Sequence, residues 1–451
     1  MQTIYQITTP FDQLLKKQKM VAGQTYRPMY YVVEQPVDEG LLLYHTMTKA
    51  MLLLNPEEME TYKTNPIALP QLVEQWFLVP QSHDDRLLSR QIRDVAKMLE
   101  KTSDAITGYT ILPTTDCNAR CFYCYEMGRS KISMSMETAN LTAEYIISHC
   151  LGEKVEINWF GGEPLFNKTV ITHISQRLND AGVDYRSTMV SNGYLFDDST
   201  IKEAKECWNL YKIQITLDGT EKIYNRSKAY IYKGVNAYRR VLDNIHRLQD
   251  AGIIVRTRLN IDMYNADNLL ELVEELHQEF SNPKGITVYM HPLFEDAVGC
   301  KAMYDNQKRS YIFQRMKEIY TQLTKYGFIE SKKIERTIKK YACQADNDHC
   351  VVIMPSGHIG KCEHYTENLF TGHINHEGRD LELIASFKEM RDEIEACATC
   401  PAYPSCLVLK LCTSNKHCYE EIQKGKIYEI RQEMLYTYQQ FQKTSNNEIQ
   451  D

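Results

Sequence analysis

Six short apolar runs, alternating with amphipathic helical stretches, constrain this chain more than any other feature. The runs are Tyr109-Thr-Ile-Leu-Pro, Val155-Glu-Ile-Asn-Trp-Phe, Tyr185-Arg-Ser-Thr-Met-Val, Ile213-Gln-Ile-Thr-Leu, Ile253-Ile-Val-Arg-Thr-Arg-Leu-Asn-Ile and Ile286-Thr-Val-Tyr-Met. The helical stretches include 135–150, 233–251 and 266–280. Parallel neighbours need a crossover connection, so this alternation predicts an α/β core over 107–293 with a parallel sheet, doubly wound or barrel-like. In such folds the site forms from loops at the carboxyl ends of the strands.

The flanks read differently. Ahead of the core, Tyr30-Tyr-Val-Val and Gly40-Leu-Leu-Leu-Tyr-His read as strands around the turn Pro36-Val-Asp-Glu-Gly. Asn55 is placed to cap a helix with Pro56 at its first position, and a charged helix is expected at about 83–101. After the core, 303–340 looks helical and Lys-rich. Residues 341–420 hold eight cysteines with little regular periodicity, as a metal-stapled, loop-rich unit would. A final helix is expected over 419–444, with a frayed tail from Thr444. The expected division is 1–104, 105–300, 301–340 and 341–451.

Composition excludes several classes. With 43% hydrophobic and 25% charged residues, wholesale disorder is excluded. No apolar run approaches about 18 residues, so no membrane span is expected. The start Met1-Gln-Thr-Ile-Tyr lacks a charged segment followed by an apolar one, which predicts no signal peptide and a cytoplasmic protein. A net charge of −7 argues against a nucleic-acid partner.

Fourteen cysteines in a reducing compartment point to metal rather than disulfides. Three fall within Cys117 to Cys124, three within Cys343 to Cys362 and five within Cys397 to Cys418, while Cys150, Cys207 and Cys300 stand alone. The first group, Cys117-Asn-Ala-Arg-Cys121-Phe-Tyr-Cys124, follows the first strand of the core directly. Three thiolates in one loop hold three corners of a cubane iron–sulfur cluster and leave one iron open to an exchangeable ligand. A zinc site lacking its fourth ligand and a set of reactive thiols are the alternatives. The eight later cysteines divide into two sets of four, each able to close a cubane, with two zinc sites as the alternative.

The spacing, the aromatic Tyr123 before the last cysteine, and Trp159-Phe-Gly-Gly-Glu-Pro164 at the end of the second strand resemble the radical S-adenosylmethionine superfamily. The resemblance implies a partial (β/α)6 TIM-like barrel. It implies a four-iron cluster on Cys117, Cys121 and Cys124, with Gly161, Gly162 and Glu163 meeting the aminoacyl end of S-adenosylmethionine. Tyr123 would lie near the adenine, and Ser191, Asn192 and Arg258, at later strand ends, would contact ribose and carboxylate. The implied chemistry is reductive cleavage of the cofactor to a 5′-deoxyadenosyl radical that abstracts hydrogen from an unactivated carbon.

The Cys343-x13-Gly357-x4-Cys362 and Cys397-x2-Cys400-x5-Cys406 patterns resemble the SPASM extension of those enzymes, which carries two auxiliary four-iron clusters. That makes three [4Fe-4S] clusters in all. By that analogy Cys343, Cys350, Cys362 and Cys412 hold the first auxiliary cluster, and Cys397, Cys400, Cys406 and Cys418 the second. Five residues rather than the usual three separate Cys406 from Cys412, which leaves the division of Cys412 and Cys418 open. Glu363 stands where the sulfatase-maturing branch has a proton-accepting acid. The expected activity is maturation of a precursor peptide, with cross-linking, for example as a thioether. The small N-terminal α+β domain would capture the leader by strand addition, with Gly40-Leu-Leu-Leu-Tyr-His as the candidate edge. The expected electron donor is a flavodoxin or ferredoxin. A formylglycine-generating sulfatase maturase is the alternative.

Overall fold

The computed structural model describes residues 1–5, 15, 17–99, 103–293, 306–329, 332–334, 337–376, 378–413, 418 and 420–447. Cys300 lies outside the described residues. The chain begins with strands β1 (Gln2–Tyr5), β2 (Tyr26–Pro28), β3 (Val32–Val37), β4 (Gly40–His45) and β5 (Met51–Leu54). Helix α1 (Pro56–Thr64) starts as expected: Asn55 accepts from the Glu58 amide, and the Glu58 carboxylate accepts from the Asn55 amide. Helix α2 (Pro70–Glu74), strand β6 (Leu78–Pro80) and helix α3 (Asp85–Met98) complete this region.

Four of these strands form an antiparallel sheet in the order β1-β5-β4-β3, and β2 pairs with β6. The run Gly40–His45, expected at an edge, is interior, with β5 on one side and β3 on the other. All six of its residues are buried. Leu41 and Leu43 pack with Leu52, Leu54 and Phe77 on one face, and Leu42 and Tyr44 with Ile4, Val33, Met434 and Tyr438 on the other. A run that is apolar at every position is one covered on both faces.

The core follows in alternation, with two helices between its fourth and fifth strands: β7 (Gly108–Ile111), α4 (Met136–His149), β8 (Val155–Trp159), α5 (Lys168–Asp180), β9 (Tyr185–Ser191), α6 (Asp198–Glu206), β10 (Leu210–Thr216), α7 (Glu221–Lys228), α8 (Ala237–Asp250), β11 (Ile254–Ile261), α9 (Asn268–Glu279) and β12 (Ile286–Pro292). The six strands lie parallel and in sequence order. Period-2 alternation gives them two unlike faces. Val155, Ile157 and Trp159 pack with Ile171 and Ile174 of α5. The other face is polar: Thr188 donates to Asn158 at 3.0 Å and Tyr289 to Gln214 at 2.6 Å.

Helix α10 (Asn306–Lys325) is shorter than the expected helical stretch to 340. Gly327 takes φ +78° and the Phe328 amide reaches back to the Leu323 carbonyl, which closes the helix end. Strands β13 (Cys350–Ile353), β14 (His358–Gly360) and β15 (Gly372–His373) follow, then α11 (Leu381–Phe387) and α12 (Glu420–Asn447). The last helix continues through Thr444 to Asn447. β13 pairs parallel to β7, so the cysteine-rich region continues the core sheet to nine strands instead of standing apart from it. Cys350 lies opposite Gly108, where an added Cβ would stand 2.6 Å from the Cys350 sulfur.

Candidate functional site

The loop that leaves β7 carries Cys117, Cys121 and Cys124, all half-buried. Burial pushes the Cys117 thiol up to about 12 and the Cys124 thiol up to about 11, and raises Cys121. The Ala119 amide donates to the Cys117 sulfur at 3.3 Å, with the Asn192 side-chain amide 3.8 Å away. N–H donors aimed at sulfur favour a thiolate, so this donor set fits an iron–sulfur cluster. Among the described residues no group of three His, Cys, Asp or Glu side chains is arranged to hold a metal ion. A four-iron cubane sets its ligands wider apart than one ion does.

The Gly161-Gly162-Glu163 segment clamps this loop from the end of β8. Gly162 donates to the Thr114 carbonyl at 3.1 Å, and the Glu163 amide to the Asp116 carbonyl at 2.9 Å. A Cβ at Gly161 would stand 2.2 Å from the Thr114 oxygen, and one at Gly162 2.3 Å from the Asp116 oxygen. Gly161 also has φ +124°, which side chains disfavour. Both glycines are therefore required by close backbone approach.

Glu163 is fully buried, and burial pushes its carboxyl up to about 7 against its hydrogen bonds. It accepts from Ser191 Oγ at 2.9 Å, the Asn192 amide at 2.8 Å and the Leu165 amide at 3.2 Å. An ammonium group would compete with these donors, so the geometry makes Glu163 a brace for the turn at Ser191 and Asn192. Asn192 donates in turn to Asn118 Oδ1 at 2.6 Å, which ties the third strand end to the cysteine loop.

Tyr123 points into a cavity of about 370 Å³ that is also lined by Phe122, Asp218, Asn260, Asp262 and Asn265. It lies at the carboxyl ends of β10 and β11. Arg258 donates from Nε to Asn260 Oδ1 at 2.8 Å. With burial, the Arg258 charge holds His291 down at about 3.

The later cysteines fall into two neighbourhoods. Cys362 is within electrostatic reach of Cys343 and Cys412, and Cys362 and Cys412 both pack against the cluster of Ala345, Phe387 and Leu409. Cys397 and Cys400 each sense Cys406 and Cys418. Cys412 thus stands with the first set and Cys418 with the second. Cys350 is held from the side by Lys361, whose buried amine donates to the carbonyls of Asn347 at 2.6 Å and Cys350 at 2.7 Å. Glu363 accepts from Gln344, whose own carbonyl accepts from Thr110 on β7 at 2.6 Å. The His364 ring lies 4.3 Å from that of Tyr125, and Arg129 donates to the His364 carbonyl at 2.6 Å. The first cysteine loop and the Cys362 loop are therefore in contact.

Sequence reasoning missed Lys228, Gln344, Arg129 and Glu126. Glu126 follows Cys124 by two residues; burial pushes its carboxyl up to about 7, and its Oε1 is buried without a partner. None of the four carries a spacing signal. Asp218 lies just past the end of β10, and Lys228 is its ion-pair partner 10 residues on.

Residues 111–289 match the model of the Radical SAM superfamily. This chain carries a radical SAM domain. The domain spans β7 to β12 and holds the cysteine loop and its glycine clamp. In fold the chain resembles a structure described as native anSMEcpe with bound AdoMet and Cp18Cys peptide. The TM-score is 0.54 at 15% identity, over 76% of this chain and 99% of that one. In sequence it is 29% identical to an uncharacterised protein of Methanocaldococcus jannaschii over 24% of this chain, and 23% identical to a probable GTP 3′,8-cyclase of Pyrococcus abyssi over 44%. The chain spans 37% and 66% of the lengths of those two relatives. No helix among the described residues is long and apolar enough to cross a membrane.

Proposed function

We propose that the protein is a radical S-adenosylmethionine maturase that abstracts hydrogen from a ribosomally made precursor peptide and installs a cross-link, a thioether where the peptide supplies cysteine. One observation carries this reading: the first cysteine loop and the Cys362 loop meet at the carboxyl ends of the parallel strands, through Tyr125, His364 and Arg129. The structure it resembles in fold is described with AdoMet and a peptide bound.

In this reading Cys117, Cys121 and Cys124 would hold a four-iron cluster, and the residues lining the cavity beside Tyr123 would hold S-adenosylmethionine. When bound, these groups supply one-electron cleavage of the sulfonium and a hydrogen-abstracting radical. The protein's residues orient and enclose. Gly161 and Gly162 bring main chain up to the loop, Glu163 braces Ser191 and Asn192, and Arg258 offers a cation to a carboxylate. Glu363, held by Gln344, stands ready to take a proton from the substrate. The later cysteines hold two auxiliary clusters in a SPASM-type region over 341–451. Because β4 is interior, leader capture falls to an edge strand, β1 or β3. The protein works in the cytoplasm with a flavodoxin or ferredoxin as donor.

The test is anaerobic co-expression with short peptides encoded beside the gene. A product lighter by two hydrogens, together with 5′-deoxyadenosine release, supports the reading; a reduced protein that releases no 5′-deoxyadenosine refutes it. The Glu363 position also favours a second reading, formylglycine formation on a sulfatase, which a sulfatase-derived peptide as sole substrate would reveal.

A further inference from the structure

A buried ion pair lies beside the first cysteine loop, and one of its members, Asp218, also lines the cavity next to Tyr123. Lys228 ends α7, and its Nζ lies 3.0 Å from Asp218 Oδ2, with side-chain exposures of 4% and 2%. The ammonium also donates to the Tyr123 hydroxyl at 2.7 Å, and that hydroxyl donates to Asp218. Tyr123 stands between Cys121 and Cys124, so the pair is fastened to the cysteine loop from within.

The main chain fastens the same two segments from the other side. The Arg120 amide donates to the Lys228 carbonyl at 2.8 Å, and the Ile231 amide to the Asn118 carbonyl at 2.9 Å. Ala229 adopts φ +45°, a left-handed conformation that costs an alanine of order 1 kcal/mol. That turn lets the backbone of Lys228 meet Arg120 while its side chain reaches the Tyr123 hydroxyl.

Stability alone does not account for this arrangement. Each buried charge costs several kcal/mol of desolvation, and apolar replacements of buried ion pairs are often neutral or stabilising. The other Asp218 oxygen, Oδ1, is buried without a partner, so the pair is not even fully compensated. Burial works against the ammonium, and Asp218, in direct contact at 3.0 Å, favours it.

A thiolate-ligated iron–sulfur cluster gains negative charge on reduction. A fixed cation beside a ligand sulfur favours the reduced form, and a fixed anion opposes it. We propose that Lys228 is a positioning residue that raises the reduction potential of the cluster on Cys117, Cys121 and Cys124, with Asp218 as its counter-charge and Tyr123 joining both to the loop. The proposal rests on the reading that these cysteines hold a four-iron cluster.

The test is a redox titration of the reconstituted full-length protein by electron paramagnetic resonance, following the signal that changes when S-adenosylmethionine is added. Lys228→Met should lower the reduced fraction several-fold at a fixed potential. Asp218→Asn should raise it, Lys228→Arg should keep it near wild type, and the Lys228→Met/Asp218→Asn double variant should fall between the two single ones. A merely structural role would not give opposite signs. Where Lys228→Met fails to fold, the Asp218→Asn and Lys228→Arg titrations decide. The proposal is overturned if Asp218→Asn leaves the potential unchanged or lowers it, or if a folded Lys228→Met titrates as wild type. A Cys117→Ala/Cys121→Ala/Cys124→Ala variant that keeps the S-adenosylmethionine-responsive signal overturns the underlying reading and the proposal together.

Discussion

Replacing Gly162 by alanine isolates one physical cause. Gly162 lacks a left-handed φ, so the substitution adds no conformational strain and acts through contact alone. The new Cβ would stand 2.3 Å from the Asp116 oxygen and 2.7 Å from the Asp116 carbon and the Thr115 oxygen. Non-bonded contacts of this kind relax at roughly 3.5 Å, so the loop must withdraw by roughly 1 Å. All three neighbours are main-chain atoms, and no side-chain rotation relieves them. The hydrogen bonds from Gly162 to Thr114 and from Glu163 to Asp116 stretch with them. Overpacking of this kind costs about 1–3 kcal/mol, and each kcal/mol lowers the melting temperature of a domain this size by about 2–4 °C. A shift of 1 Å at a reacting centre costs about 100-fold in rate. We therefore expect Gly162→Ala to keep its later cysteine regions intact while release of 5′-deoxyadenosine falls about 100-fold. The assay is single-turnover cleavage of S-adenosylmethionine by the reduced protein, with iron content and melting temperature measured on the same samples. Cleavage at the wild-type rate, with an unchanged melting temperature, would refute the argument that backbone contact positions the loop.

Other expectations follow from the same geometry. Cys121→Ala should abolish S-adenosylmethionine cleavage, whereas Cys406→Ala should keep much of it, as liquid chromatography of the products will show. Asp85 is buried against its charge, but hydrogen bonds from His83, Arg27 and the Tyr30 amide hold its carboxyl down at about 2. A depressed carboxylate stabilises above its unfolded value of 3.8, and that contribution fades as pH falls toward 2. Asp85→Asn should thus cost about 2 kcal/mol at pH 7 and progressively less below pH 4, read in urea melts by Trp76, whose ring meets His83. Tyr31 stacks on Tyr403 at 5.8 Å beside Cys397 and Cys400, and its hydroxyl is buried without a partner. Tyr31→Phe should be neutral or stabilising. Tyr31→Ala should cost about 3–5 kcal/mol and release iron from the second auxiliary set first, measured by iron content after brief exposure to air.

Much of this fold is legible along the chain because the signals are local. The six core strands and the helices at 136–149, 237–250 and 268–279 fall within a few residues of their apolar periodicity. The Asn55 cap lies where side-chain chemistry puts it. The cysteine spacing and the Gly-Gly-Glu-Pro string are just as local, and both stand at strand ends. Gly40–His45 was misread as an edge because an unbroken apolar run reports that both faces are covered, not which strands stand on either side.

Tertiary structure decided which distant segments share a neighbourhood. It continued the core sheet through Cys350, set Cys412 with Cys362 and Cys418 with Cys397, and gave Glu363 to Gln344. It also drew Lys228 onto Asp218 and Tyr123, where a lysine that reads in sequence as an ordinary helix-terminal cation becomes a buried charge. The division has one physical cause. Periodicity, caps and turns are set by interactions a few residues apart, so the sequence alone carries them. The pairing of strands, thiols and charges depends on which surfaces are buried together, and no local pattern records that.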